Sequence, residues 1–156
     1  MNERAPYNKE FIKFIPYLKE VDITTRALLK RVEFMYSLCS DMCPDEIEDI
    51  FVTDYIKGDG AREYENLWFF SKNYCLEAKK FLTQIDLDIT PIKNRITYWT
   101  VTAQEFDFKK ASANSRLNLD FNTVQEIHGV FKSAKENCVC LQAIINKYVK
   151  TNQVPL

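Results

Sequence analysis

From Ile47 to Lys79 the apolar residues recur at every second position on both sides of Lys57-Gly58-Asp59-Gly60, a pattern that no helix can bury on one face. Side chains return to the same face every 3.6 residues in a helix and every 2.0 in a strand, so this stretch predicts two strands. Before the turn, Ile47, Asp49, Phe51, Thr53 and Tyr55 share one face, and Glu48, Ile50, Val52, Asp54 and Ile56 the other. After it, Leu67 and Phe69 alternate with Trp68 and Phe70, a segment too aromatic to lie exposed. Glycines flanking an aspartate between such runs are the chemistry of a hairpin turn.

Helical spacing dominates before this region. Tyr7 to Val21 carries Phe11, Phe14, Ile15 and Leu18, with Pro16 predicting a kink at Ile15 or two short turns meeting there. A second helix, capped by Asp22 or Thr24, follows from Leu28, Val32, Met35, Cys39 and Met42, with Leu29 and Tyr36 widening its stripe. Pro44 ends it, and an acidic stretch of Asp45, Glu46, Glu48 and Asp49 leads into the first strand.

Tyr74 to Ala78 is a further strand candidate that can equally continue the second strand through a bend at Lys72-Asn73. Phe81 to Asn94 reads as a connection anchored by Ile85, Leu87 and Ile89, with Pro91 barring a central strand. Arg95 to Phe108 alternates over a long stretch rich in Thr, Tyr, Trp and Phe, residues that suit a pleated surface. Leu117, Leu119 and Phe121 predict a strand, Asn122-Thr123 a turn, and Val124 to Phe131 the return strand. Ser133 and Glu136 have capping-box spacing, and Cys138, Leu141, Ile144, Ile145 and Tyr148 form the stripe of a closing helix.

Consecutive antiparallel strands with aromatic faces, followed at once by one amphipathic helix, resemble the pleckstrin-homology-like (PH-like) superfold over Asp45 to Val149. The resemblance implies an antiparallel PH-like β-barrel or sandwich capped by the C-terminal helix; the two N-terminal helices lie outside it and precede it in an α+β fold. It divides the chain into an N-terminal helical segment (1–44) packed on the main domain, the β domain with its helix (45–150) and a tail (151–156). It implies a binding module more readily than an enzyme. Lipid-binding members carry clustered Lys and Arg in the loop between the first two strands. Here that loop offers Lys57 and Arg62, diluted by Asp59 and Glu63, which moves the expectation toward a protein or peptide held on a strand edge or helix groove.

Candidate chemistry is sparse. Cys39 with Cys43 and Cys138 with Cys140 suggest a four-thiolate metal site on paper, yet helical residues two apart point about 200° apart, so buried core thiols are expected and no metal. His128 is the only histidine, which excludes a site needing two imidazoles and leaves an exposed strand residue near Glu126. Asp86 with Asp88 and Glu105 with Asp107 read as solvated surface, and Trp68 and Trp99 as core aromatics. Lys57-Gly58-Asp59-Gly60 lacks the Gly-Lys-Ser/Thr ending of a phosphate-binding loop.

Twenty-one basic and 22 acidic residues leave a formal charge of −1, which supplies no long-range attraction to nucleic acid. An odd cysteine count of five and the lack of a long apolar run predict a soluble, cytoplasmic protein with reduced thiols. The expectation is a non-enzymatic binding or scaffold domain without cofactor, recognising a protein or peptide partner, with homo-oligomerisation through the N-terminal helices as a further contact. The alternative is a weak anionic-headgroup or membrane-surface binder using Lys57 and Arg62 with Lys72 or Lys79.

Overall fold

The computed structural model describes residues 6–83, 89, 91–106 and 110–154, and shows an α+β fold of two antiparallel sheets with helices at both ends of the chain. A 3-10 turn (Ile12–Phe14) runs directly into α1 (Ile15–Glu20), the two short turns that Pro16 predicts. Pro16 occupies the first turn of α1, where its missing N–H removes no helical bond. The helix stops at Asp22, whose φ of 67° reverses the chain; Ile23 N donates to Leu18 O at 2.9 Å and Asp22 N to Lys19 O at 3.1 Å. That pair of bonds closes a helix end in the manner usually reserved for glycine.

Helix α2 (Arg26–Met42) is capped by neither expected residue: Thr25, one position after Thr24 and three after Asp22, is the N-cap, and its hydroxyl accepts from Leu28 N at 3.3 Å. Leu29, Val32, Met35, Tyr36 and Cys39 are buried, so the predicted stripe faces the chain's own core, while Met42 is exposed.

Strands β1 (Asp49–Ile56), β2 (Arg62–Phe70), β3 (Tyr74–Lys79) and β4 (Ile92–Lys93) form the first sheet in sequential order. The bend at Lys72-Asn73 is a hairpin and not a continuation: Phe70 pairs with Cys75, and Ser71 and Tyr74 bond across the turn. Strands β5 (Ile96–Gln104), β6 (Arg116–Thr123) and β7 (His128–Ala134) form the second sheet. The β6–β7 turn lies later than Asn122-Thr123, because Thr123 uses both its backbone N–H and its hydroxyl to organise residues 123–127 around Glu126 at φ 61°. Asp86 and Asp88 lie outside the described residues, as do Asp107 and Phe108.

Helix α3 (Asn137–Ile144) continues into a π-helical turn (Ile145–Val149) and buries Cys138, Leu141, Ile144, Ile145 and Tyr148 as the stripe predicts. The capping box does not form. Ser133 still belongs to β7, where its hydroxyl donates to Leu117 O, and Glu136 points away toward Arg62.

The two-residue period of β2 separates two cores. Leu67 and Phe69 join Ile50, Val52, Leu76 and, from the N-terminal segment, Phe11, Leu18, Val32 and Tyr36 on one face. Trp68 and Phe70 join Phe51, Leu119, Phe121, Phe131, Leu141 and Tyr148 on the other. The first sheet is therefore a middle layer, covered by the N-terminal helices on one side and by the second sheet with α3 on the other. Both its faces are buried, which explains the aromatics at successive positions. The sheets keep separate hydrogen-bond ladders, so the arrangement is sandwich-like and the closed-barrel alternative is not what forms.

Candidate functional site

The β1–β2 loop is a compact turn. Lys57 N donates to Ala61 O at 2.8 Å, Gly60 N to Lys57 O at 2.9 Å, and Asp59 Oδ1 accepts from Ala61 N at 2.9 Å. Gly60 sits at φ 89°, a backbone state that any side chain would strain. Lys57 Nζ lies 3.2 Å from Glu63 Oε1 at the solvent-exposed start of the hairpin. Lys72 is at the far end of β2, about 30 Å away along nine extended residues at roughly 3.3 Å each, so it does not join Lys57 in one basic cluster. Lys79 pairs opposite Asn66, between those extremes.

Arg62 turns inward. Its side chain is only 6% exposed and meets three carboxylates: Asp22 Oδ2 at 2.7 Å, Glu136 Oε1 at 2.7 Å and Asp54 Oδ2 at 3.0 Å. The contact with Asp54 has ion-pair distance without hydrogen-bond alignment. Asp54 is fully buried next to a register irregularity, where Thr53 of β1 stands opposite both Glu65 and Asn66 of β2, and its carboxylate meets β7 and α3. There Oδ1 accepts from Ala134 N at 3.0 Å and from Asn137 Nδ2 at 2.9 Å. Asn137 also donates to Val52 O at 2.7 Å and accepts at 2.8 Å from the hydroxyl of Tyr17, which itself accepts from Val52 N at 2.9 Å. Burial raises the Asp54 carboxyl to about 6 against the opposing pull of Asn137, Arg62 and Ala134, with Glu136 adding to the rise. Burial likewise raises Tyr17 well above an ordinary phenol. This network ties α1, β1, β2, β7 and α3 together around one guanidinium.

The thiols are core groups. Cys39, Cys43, Cys75 and Cys138 are buried, Cys140 is half-buried, and all five are free. Burial pushes Cys39, Cys75 and Cys140 up to about 12, the opposite of an activated nucleophile. Among the described residues no three His, Cys, Asp or Glu side chains converge on a metal position. His128 is exposed on β7 and lies 2.7 Å from Asp120 Oδ1 on β6. Trp68 is fully in the core, whereas Trp99 is half-buried on β5.

Strand β5 offers a different surface. Among the described residues it pairs with β6 on one side only, and a register shift between Ile96 and Tyr98 leaves Trp99 and Val101 partly covered while Tyr98 stands 57% exposed. Exposed Val124, Ile127 and Val130 lie on the neighbouring β6–β7 turn and on β7. The open edge is occupied at one point. Ile96 N donates to Asn152 O at 3.0 Å, Val154 N donates to Ile96 O at 2.8 Å, and Ile96 bridges Gln153 in parallel. Trp99 Nε1 donates to Gln153 Oε1 at 3.1 Å. Residues 151–156 read from sequence as a plain tail, because three backbone residues on a distant edge leave no periodic signal. No family model, curated protein or solved structure matches the chain.

Proposed function

We propose that this chain is a non-enzymatic, cytoplasmic binding module of PH-like architecture that takes a protein or peptide partner as an extended strand along the open edge of β5. One observation carries the reading: the Ile96 backbone already exchanges two hydrogen bonds with residues 152–154, which meet it in a parallel bridge at Gln153. An edge strand presents unpaired N–H and C=O groups, so it is a template for any strand of suitable side chains. The order of four and three antiparallel strands followed by one buried helix supports the PH-like assignment. Five free cysteines support a reducing compartment, and among the described residues no helix is long and apolar enough to cross a membrane.

The anionic-headgroup alternative has less to work with. Lys57 is paired to Glu63, and the guanidinium of Arg62 is spent on three carboxylates. Panning a random-peptide phage library and mapping enriched peptides by amide shifts tests the strand-edge reading. Perturbations concentrated in Thr97 to Gln104 are expected; shifts located elsewhere reject it. Sedimentation with phosphatidylserine vesicles tests the alternative, which requires binding that a Lys57→Glu substitution removes.

A further inference from the structure

The segment that occupies the β5 edge is held by few, accessible bonds. Thr151 and Gln153 are exposed and Asn152 and Val154 only half-buried. Its upstream anchor is the last helical turn, where Asn152 Nδ2 donates to Tyr148 O at 2.7 Å. Beyond that anchor the described residues contribute Asn152 O, Val154 N and the Gln153 carboxamide to β5. Segments held by solvent-accessible hydrogen bonds and little apolar burial open well below the global unfolding free energy.

The occupied position is also the best-equipped part of the edge. Ile96 supplies both a donor and an acceptor, and Trp99 a directed indole N–H. Beside them lies a cleft of about 340 Å3 lined by Pro44, Asp45, Tyr74, Lys93, Arg95 and Asn152, among others. Lys93 and Arg95 are both exposed and form no ion pair among the described residues. Asp45 offsets one of these charges, and its Oδ2 is already engaged by Ser71 Oγ at 3.2 Å and Asn73 N at 3.1 Å. With Asp45 offsetting one charge, the segment present leaves the other uncompensated, because Asn152 is neutral.

We infer that residues 152–154 are a built-in edge strand that blocks this end of β5, and that the partner displacing them is an extended acidic peptide running parallel to β5. The inference rests on the strand-edge reading above and adds to it a register, a charge preference and a cis competitor. Ile96 has one N–H and one C=O, so two strands cannot hold it in the same register. The incoming peptide carries Asp or Glu at the Asn152 position, beside Lys93 and Arg95. It carries a side-chain oxygen at the Gln153 position to accept from Trp99, and a residue other than proline at the Val154 position to donate to Ile96 O. Tethering through a short connection gives the cis strand an effective concentration on the order of millimolar, enough to mask a weak trans ligand.

The test uses the full chain and its Val154→Pro variant, which removes the N–H donated to Ile96 at a position outside every named helix and strand. The probes are a labelled synthetic peptide of residues 150–156 and the same peptide with aspartate at the 152 position, read by fluorescence anisotropy. The variant is expected to bind the native peptide at least tenfold more tightly than the full chain does. The aspartate peptide is expected to bind the variant more tightly still, with an advantage that shrinks as salt is raised. Gln153→Ala, which removes only the Trp99 contact, is expected to fall between the two chains. Equal binding to both chains, or binding to neither, overturns the inference. The two readings fail separately: a library peptide that shifts Thr97 to Gln104 while leaving Ile96 and Val154 unmoved keeps the strand-edge reading and rejects the built-in competitor. Tight binding of the 150–156 peptide by the variant, with no library peptide reaching β5, keeps residues 152–154 as an edge strand and rejects a partner that displaces them.

Discussion

Asn137 donates from Nδ2 to Asp54 Oδ1 at 2.9 Å, joining the first residue of the last helix to a carboxylate 83 positions earlier. The same side chain satisfies Val52 O and Tyr17 Oη, so one amide fastens the N-terminal helix and α3 to a single strand. Asn137→Ala takes the side-chain donor from Val52 O and one of two partners each from Asp54 Oδ1 and the Tyr17 hydroxyl, and a buried polar group left unsatisfied costs about 1–3 kcal/mol. A loss of about 3 kcal/mol in urea unfolding is expected, and a loss below about 0.5 kcal/mol, the range of neutral surface changes, rejects the account.

Arg62 is the countercharge that makes a buried Asp54 tolerable. Removing one partner of a buried pair typically costs about 3–5 kcal/mol, and Arg62→Met is expected to fall in that range. Adding Asp54→Asn removes the stranded charge, so the double variant should be more stable than Arg62→Met alone. Equal or lower stability of the double variant would show that the ion pair is not what matters.

The pH dependence has a definite sign. The folded-state Asp54 carboxyl is raised to about 6, above its ordinary 3.8. The native state therefore holds this proton more tightly than the unfolded chain, and the contribution to stability is fully present below about 3.8. It is lost as pH rises through about 6. Comparing urea midpoints of the native chain and Asp54→Asn from pH 4 to 7 isolates this residue. The native chain should lose stability relative to the variant as pH rises, and a constant difference would contradict the burial argument.

Gly129 pairs across the ladder with Phe121, whose ring covers it. A Cβ there would lie 2.1 Å from Phe121 Cε1, so Gly129→Ala forces the ring out of its stack on Phe131. Overpacking of this kind costs about 1–3 kcal/mol, readable as a lowered melting temperature. Phe121→Leu in the same chain should soften the penalty, a non-additivity that a double-mutant cycle measures.

Buried thiols with pKa values near 12 are poor nucleophiles. Native protein at pH 8 should take up iodoacetamide slowly at Cys39 and Cys75 and rapidly after unfolding in guanidinium. Stoichiometric labelling of Cys39 in the folded chain would show that its burial is transient.

Much of the fold was legible where periodicity is strong. The alternation of Leu67 to Phe70, the stripe of α2 and that of α3 all mark buried faces correctly. Signals of one or two residues failed where a tertiary partner outcompeted the local bond. Glu136 was drawn from its expected cap to Arg62, Asp22 from a capping role to a helix stop facing the same guanidinium, and Ser133 to Leu117 O. Lys57 and Arg62 are five residues apart and looked equivalent, yet one is at the surface and the other inside. The β5 edge was legible as a strand but not as an edge.

Side-chain period is a property of neighbouring residues, set by backbone geometry, and it therefore survives in a bare sequence as strands, helices and the hairpin at Lys57 to Gly60. Which charges are buried, which edge stays open and what lies across it depend on contacts between residues dozens of positions apart. Asp54 is a core carboxylate through contacts with Ala134 and Asn137, 80 and 83 positions away, and Gln153 meets Trp99 only because α3 delivers the chain to that edge. Those outcomes turn on the packing of whole layers, where desolvation and geometry choose among partners that local preference cannot distinguish.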